Sequence, residues 1–223
     1  MFNIWEKPRF PPPSEAGPDG LLMTGGSLAP SWMMEAYKSG IFPMPLNYAH
    51  RRTLAWFSPD PRGILEFDAF YVSHRLARRL RRGEFQFTID EAFAQVVEAC
   101  AAPRRRDTGC WLTLAMQNAY QTLHQLGAAH SVEVWSEGEL IGGVFGIAIG
   151  GFFAGESMFS RRSDGSKAAL ACLVKHLRSR DFALLDVQWT NEHTRSLGAI
   201  EVPRCEYLKR LAAAIELPAR FVD

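Results

Sequence analysis

Two apolar runs split by Gly150-Gly151 limit the folds open to this chain more than any other feature. Val144 to Ile149 is apolar, and Phe152 to Ser157 resumes directly after the glycines. Such runs predict a tight β-hairpin, because two-residue turns need positive φ and glycine adopts it freely. Downstream, Ser166 is placed to cap a helix from Lys167 to Ser179, with Leu170, Leu173, Val174 and Leu177 on one face. Ala183 to Trp189 then reads as a buried strand. On it Asp186 and Gln188 stand two residues apart, so their side chains leave the same face. Glu156 ends the second hairpin run. These three polar groups stand where an apolar sheet would not hold them without a partner or a task. Two readings stay open: they satisfy nearby loop backbone, or they form a site.

The order of elements points to an α+β fold, with an antiparallel-rich sheet packed by helices. Pro11-Pro12-Pro13 marks an extended leader. Ser31 is expected to cap a helix from Trp32 to Ser39, closed by Gly40. Ile41 to Pro45 is too proline-rich for a helix or a central strand, and residues 46–53 read as a loop. Leu54 to Phe57 is a short strand, followed by the turn S-P-D-P-R-G. A domain boundary is placed there, giving 1–62 and 63–223. Ser73 caps a helix from His74 to Arg82, and Asp90 is expected to cap one from Glu91 to Ala101. Thr113 starts a helix to Leu126, and His130 to Trp135 alternates as a strand. Asn191 or Thr190 caps a short helix, and Pro203 precedes the last one, Arg204–Ile215.

The 223 residues carry a net charge of only +1, which selects no partner class by itself. The distribution is uneven: Ser73 to Arg82 holds five arginines and no acid. Arg75, Arg78, Arg79 and Arg82 face away from Leu76 and Leu80, as a solvated helix face or as a phosphate-contacting surface. Arg104 to Arg106 adds three more. Trp111, beside that basic loop, is either core or a stacking platform for a base. The four cysteines have neither C-x-x-C spacing nor a histidine at zinc-ligand spacing, so no metal and no disulfide framework is expected. No apolar stretch reaches the length of a membrane span, and the start lacks the pattern of a signal peptide. A cytoplasmic, monomeric protein that contacts no membrane is the expectation.

A hairpin, a helix and a returning strand match the outline of the acyltransferase (GNAT-like) fold that binds acyl-CoA. The corresponding phosphate loop would be Arg162-Ser163-Asp164-Gly165-Ser166-Lys167, but it ends in a lysine whose side chain crowds the approach. Several runs together resemble one family, the leucyl/phenylalanyl-tRNA–protein transferases: G-L-L-M-T-G-G-S-L (20–28), G-I-F-P (40–43), W-F-S-P-D-P-R (56–62), A-F-x-Q-V-V-E-A-C (92–100), H-S-V-E-V-W (130–135), G-E-S-M-F-S (155–160), D-V-Q (186–188) and H-T-x-S-L-G-A (193–199). They run in order along nearly the whole chain. The resemblance implies a small N-terminal domain on a GNAT-like aminoacyltransferase domain. It implies transfer of Leu or Phe, with Met as a further candidate, from aminoacyl-tRNA to the α-amine of proteins beginning with Arg or Lys, which marks them for degradation.

It further implies that Asp186 and Gln188 act as the catalytic pair with Glu156 nearby. The aminoacyl side chain would lie among Val144, Phe153, Met158, Ser160, Leu170 and Leu185. Trp111, Tyr120 and Met44 would meet the terminal adenosine, and the arginine face would hold the acceptor stem. An aminoacyl ester is already activated, so no cofactor is expected. The proton acceptor stays open among Asp186, Glu156, water and a tRNA hydroxyl. Three positions depart from the family's usual residues: Met44 stands for a Trp, Ser27 for an Asp and Val144 for a larger Met. Two other classes remain as alternatives, a CoA-dependent N-acyltransferase and a non-catalytic tRNA-binding module.

Overall fold

The structure, a computed structural model, describes residues 8–48, 51–102 and 111–223. Ala49, His50, Arg104 to Arg106 and Cys110 lie outside the described residues. Two sheets organise the fold. The first has the strand order β1–β3–β2, built from β1 (Leu21–Thr24), β2 (Phe42–Tyr48) and β3 (Arg51–Phe57). Helix α1 (Pro30–Lys38) joins β1 to β2. The proline-rich run is thus a strand, and residues 46–48 and 51–53, expected as loop, continue the pairing of β2 with β3. Pro43 and Pro45 are tolerated because β2 is an edge strand, where an absent N–H leaves no ladder partner unmet. Pro30 at the first helical turn starts α1, with Ala29 as its cap, so Ser31 is not the cap.

The second sheet has seven strands in the order β10–β4–β9–β8–β7–β6–β5. Its strands are β4 (Arg62–Leu65), β5 (Gln86–Ile89), β6 (Ala129–Ser136), β7 (Glu139–Ile149), β8 (Phe152–Ser160), β9 (Leu184–Gln188) and β10 (Ala199–Val202). Every pairing is antiparallel except β8 with β9. The α+β class and the hairpin–helix–return outline hold: β7 and β8 turn at Gly150-Gly151, α5 (Gly165–Ser179) crosses over, and β9 returns parallel to β8. Gly150 takes φ +54°.

Alternation along the strands divides the core. Val132, Val134, Val144, Phe153 and Leu185 face Leu170, Leu173, Val174 and Leu177 of α5. Phe145, Ile147, Phe152, Ala154 and Phe159 face the other way, toward α3 (Phe93–Ala101) and α4 (Leu114–Gln125). The latter cluster also holds Tyr37, Trp56 and Tyr207, so the small sheet and α7 (Arg204–Ile215) share it. The first turn of α5 lies directly on β7: a Cβ at Gly142 would meet the Gly165 carbonyl carbon at 2.4 Å.

Two further caps differ from expectation. Asp90 takes φ +60° and accepts bonds from the Ser131 N–H and the His130 ring, and α3 begins behind Ala92. Asp164, at φ +72°, precedes α5, while the Ser166 N–H donates to Ser160 Oγ. Ser73, Thr113 and Asn191 do cap α2 (His74–Arg81), α4 and α6 (Glu192–Ser196).

Candidate functional site

Strands β8 and β9 pair over only three residues, from Phe152↔Leu184 to Ala154↔Asp186. Past that point they part, and Gln188 turns the chain out of β9 at φ +58°. A cavity of about 990 Å³ fills the gap. Gly155 to Arg161 of β8 and its exit form one wall, and Leu185 and Val187 to Trp189 form the other. Val144, Met158, Leu170, Leu173 and Leu185 supply an apolar floor. Trp111, Ala99 and Ala102 stand on the α3 side, while Asn191, Glu192 and Thr194 stand on the α6 side. The size is that of a small-molecule site, well above what one amino-acid side chain needs.

Of the residues named from the sequence, Glu156, Gln188, Val144, Met158, Ser160, Leu170, Leu185 and Trp111 line this one cavity. Other expected residues sit elsewhere. Phe153 is buried one layer behind the floor, stacked on Phe221 at 5.2 Å. Met44 packs half-buried against the core of the small sheet and is not among the lining residues. Tyr120 is fully buried, so it cannot stack on an adenine. Its hydroxyl donates to Glu156 Oε2 at 2.6 Å instead. On α2, Arg75, Arg78 and Arg82 are exposed, but Arg79 is committed to Glu84 (2.8 Å) and Asp164 (2.7 Å).

Asp186 is the largest departure. It has no exposed surface and does not line the cavity. Its Oδ1 accepts from Arg62 Nε and from the Gln188 N–H, both at 2.9 Å. Its Oδ2 accepts from Arg62 Nη2 at 2.6 Å and the Tyr207 hydroxyl at 2.8 Å. Arg62, itself only 1 % exposed, lies between the rings of Phe42 and Tyr207 and also donates to the Gly40 carbonyl. Burial works against the guanidinium charge, but Asp186, Tyr207 and Glu156 together outweigh it and hold the Arg62 pKa above its ordinary value. A bidentate pair with its remaining acceptors filled can offset the cost of burying two charges. Asp186 thus anchors the backbone of Gln188 and does not reach the cavity. Sequence reasoning missed Arg62, Tyr207 and Tyr37, although Arg62 ends the W-F-S-P-D-P-R run.

Gln188 is 8 % exposed. Its amide is assigned from the surrounding network, with Nε2 donating to the Gly155 carbonyl at 3.0 Å and the Val187 carbonyl at 3.1 Å. Both amide protons are then used, and the group it can offer a ligand is the acceptor Oε1. Glu156 accepts from Tyr37 at 2.8 Å as well as from Tyr120. Burial raises its carboxyl to about 7, the two tyrosine bonds pulling it back and the Asp186 charge adding to the rise. The same burial holds both tyrosines well above their ordinary value, so they remain donors.

Around the loop before α5, where a CoA pyrophosphate would rest, four amides are engaged within the protein. Those of Arg161 and Arg162 donate to the Ile141 carbonyl, that of Gly165 to the Arg162 carbonyl and that of Ser166 to Ser160 Oγ. Among the described residues, no group of three or more His, Cys, Asp and Glu could hold a metal ion, and no helix is long and apolar enough to cross a membrane.

Comparison with known proteins agrees along the whole chain. A family model described as leucyl/phenylalanyl-tRNA protein transferase matches residues 64–212, and the N-terminal domain of the same family matches residues 26–60. Similar proteins carrying the name leucyl/phenylalanyl-tRNA–protein transferase occur in Stutzerimonas stutzeri (45% identical over 94% of this chain and 92% of the relative) and Alkalilimnicola ehrlichii (48%, over 99% and 88%). A third, from Aromatoleum aromaticum, is 48% identical over 92% of this chain and 86% of its own. With a buried anchor holding Gln188 on the wall of a cavity with an apolar floor, and with these relatives matched nearly end to end, the chain belongs to the leucyl/phenylalanyl-tRNA–protein transferase family.

Proposed function

We propose that the protein transfers Leu or Phe from aminoacyl-tRNA to the N-terminal α-amine of proteins that begin with Arg or Lys. The observation that carries this reading is the cavity between β8 and β9, which sets an apolar floor beside one acceptor amide and one carboxyl near neutrality. The aminoacyl side chain lies on Val144, Met158, Leu170 and Leu185, with its ester carbonyl at the level of Gln188. The acceptor enters from the α6 side, where Glu192 favours a cationic residue. Its α-amine, with an ordinary pKa of about 8, donates one N–H to Gln188 Oε1 and attacks the ester carbon. The new C–N bond forms and the C–O bond to the ribose breaks, and the ribose oxygen leaves as a hydroxyl once it receives the proton that the amine gave to Glu156. Glu156, half ionised at neutral pH, accepts the proton that the amine loses. The four donors on Asp186 fill its oxygens and leave it a positioning role. Such holding of reactants supplies several kcal/mol in other enzymes, about 3–4 for one well-placed polar contact to the transition state. The exposed Arg75, Arg78 and Arg82 provide phosphate contacts for the acceptor stem.

The amides of Arg162, Gly165 and Ser166, engaged within the protein, are three fewer donors for the pyrophosphate of the CoA-dependent alternative. The test is a transfer assay with labelled Leu-, Phe- and Met-tRNA and peptides beginning with Arg, Lys or Ala. Transfer of Leu and Phe to the Arg and Lys peptides, lost in Gln188→Ala, is expected. Bound tRNA without transfer from any donor would leave a binding module in its place.

A further inference from the structure

A second cavity, of about 560 Å³, opens beside the first. It is lined by Gln95, Trp135, Gly138, Glu139, Leu140, Ile141, Arg161 and Arg162. Arg161 lines both cavities. So does one face of α3: Ala99 borders the first and Gln95 the second. These two lie four residues apart, one helical turn or about 6 Å along the axis. The shared wall is the Trp111 side of the first cavity, away from α6, where the acceptor is placed.

The chemistry of the second cavity suits a nucleotide. Trp135 Nε1 donates to Thr88 Oγ1 at 2.8 Å, which fixes the half-buried indole. Arg161 donates to the Leu140 carbonyl at 3.1 Å and lies over the Phe159 ring. Arg162 is held by Glu137 at 2.9 Å and by Glu139. With Arg162 neutralised by its two carboxylates, Arg161 and the fixed Trp135 plane make a stacking platform with one cationic edge. Single-stranded nucleic acid is held by such surfaces, since every base has a π face and every step a phosphate.

We infer that this cavity binds the penultimate nucleotide of the tRNA 3′ end, the cytidine before the terminal adenosine. This rests on the function proposed above for the donor, but it concerns a site one step further along the strand. The base lies against Trp135, and Arg161 meets the phosphate that joins the two nucleotides.

The test compares adenosine with the dinucleotide cytidylyl-adenosine by titration calorimetry on the full chain. The same comparison is then made with their aminoacyl esters as donors. Trp135→Leu removes the plane, and Trp135→Phe keeps a smaller one. The wild type is expected to bind the dinucleotide more tightly than adenosine. Trp135→Leu should lose about 5- to 100-fold on the dinucleotide and nothing on adenosine, with Trp135→Phe in between. An equal loss on both ligands, or no gain from the cytidine in the wild type, overturns the assignment. A loss that instead tracks the length of the acceptor peptide overturns it too, and gives the cavity to the acceptor chain. Because binding is read without transfer, a protein that binds the dinucleotide in this pattern but transfers nothing keeps the subsite and loses the proposed activity.

Discussion

Glu156→Gln should make the protein more stable at alkaline pH, by an amount that grows with pH. The two carboxyl oxygens of Glu156 and the hydroxyls of Tyr37 and Tyr120 form a closed set: Tyr37 to Oε1 at 2.8 Å, Tyr120 to Oε2 at 2.6 Å and Tyr37 to Tyr120 at 3.0 Å. With Glu156 protonated, three protons serve three contacts in a ring. With Glu156 ionised only two remain, and the tyrosine pair faces oxygen to oxygen. A glutamine restores the third proton through its Nε2 and copies the neutral state in shape. The carboxyl is raised from 4.5 to about 7 by burial. Its folded pKa lies above its unfolded one, so its contribution is fully present below about pH 4.5 and lost as pH rises through 7. At about 1.4 kcal/mol per pKa unit, the ionised native state is disfavoured by roughly 3 kcal/mol above pH 8. The neutral glutamine escapes this. The difference in unfolding free energy, Gln variant minus wild type, should therefore rise by about 2–3 kcal/mol from pH 5 to pH 9. Urea unfolding at five pH values across that range measures it, and all other titrating groups cancel in the difference. Parallel curves, or a difference that falls with pH, would refute the assignment of a raised carboxyl at this position.

Arg62→Met should cost about 3–5 kcal/mol by leaving the Asp186 carboxylate buried and unpaired. Pairing it with Asp186→Leu should recover a large part of that, as read by urea midpoints in a double-mutant cycle. Val144→Phe fills the floor opposite Met158, its partner across the β7–β8 ladder. It should lower transfer of Phe more than of Leu, by about 10-fold or more in the ratio of kcat/KM. Phe221→Ala removes a ring buried against Phe153, His130 and His176. A cost of about 3–5 kcal/mol is expected, seen as a fall in Tm of roughly 6–20 °C.

What could be read from the chain follows the range of the forces involved. The hairpin at Gly150-Gly151 and the apolar face of α5 are local patterns, and both stand where they were expected. Caps were legible only where the capping side chain had no better offer. Ser73 and Thr113 bond the amide three residues on, whereas Asp90 is drawn to β6, 41 residues away. Residues 46–48 lacked the composition of a strand, yet pairing with β3 supplies the order that composition does not. Arg62 was hidden for a related reason. An arginine is expected at the surface unless paired, and its partner lies 124 positions later in sequence. Tyr120 and Phe153 were assigned to ligand contacts by resemblance, but their strand and helix faces point into the core.

The same long-range pair explains why a site exists at this place in the sheet. Two parallel strands free to pair would zip closed and leave no cavity. Here β4 lies on the far side of β9, and its Arg62 seizes the Asp186 carboxylate from that flank. The carboxylate in turn takes the Gln188 N–H, which cannot then join a ladder with β8. Gln188 at φ +58° sends the chain away toward Trp189 and α6. The side-chain amide reaches back to the Gly155 carbonyl, at the strand position where the β8 ladder ends. One charged pair therefore both opens the gap and fixes the acceptor group at its mouth. That dual role separates two kinds of damage. Gln188→Ala should abolish transfer at a cost of about 1–3 kcal/mol for the carbonyls it leaves unpaired, whereas loss of Arg62 should cost about 3–5 kcal/mol and lower transfer with it, because the cavity itself depends on the pair.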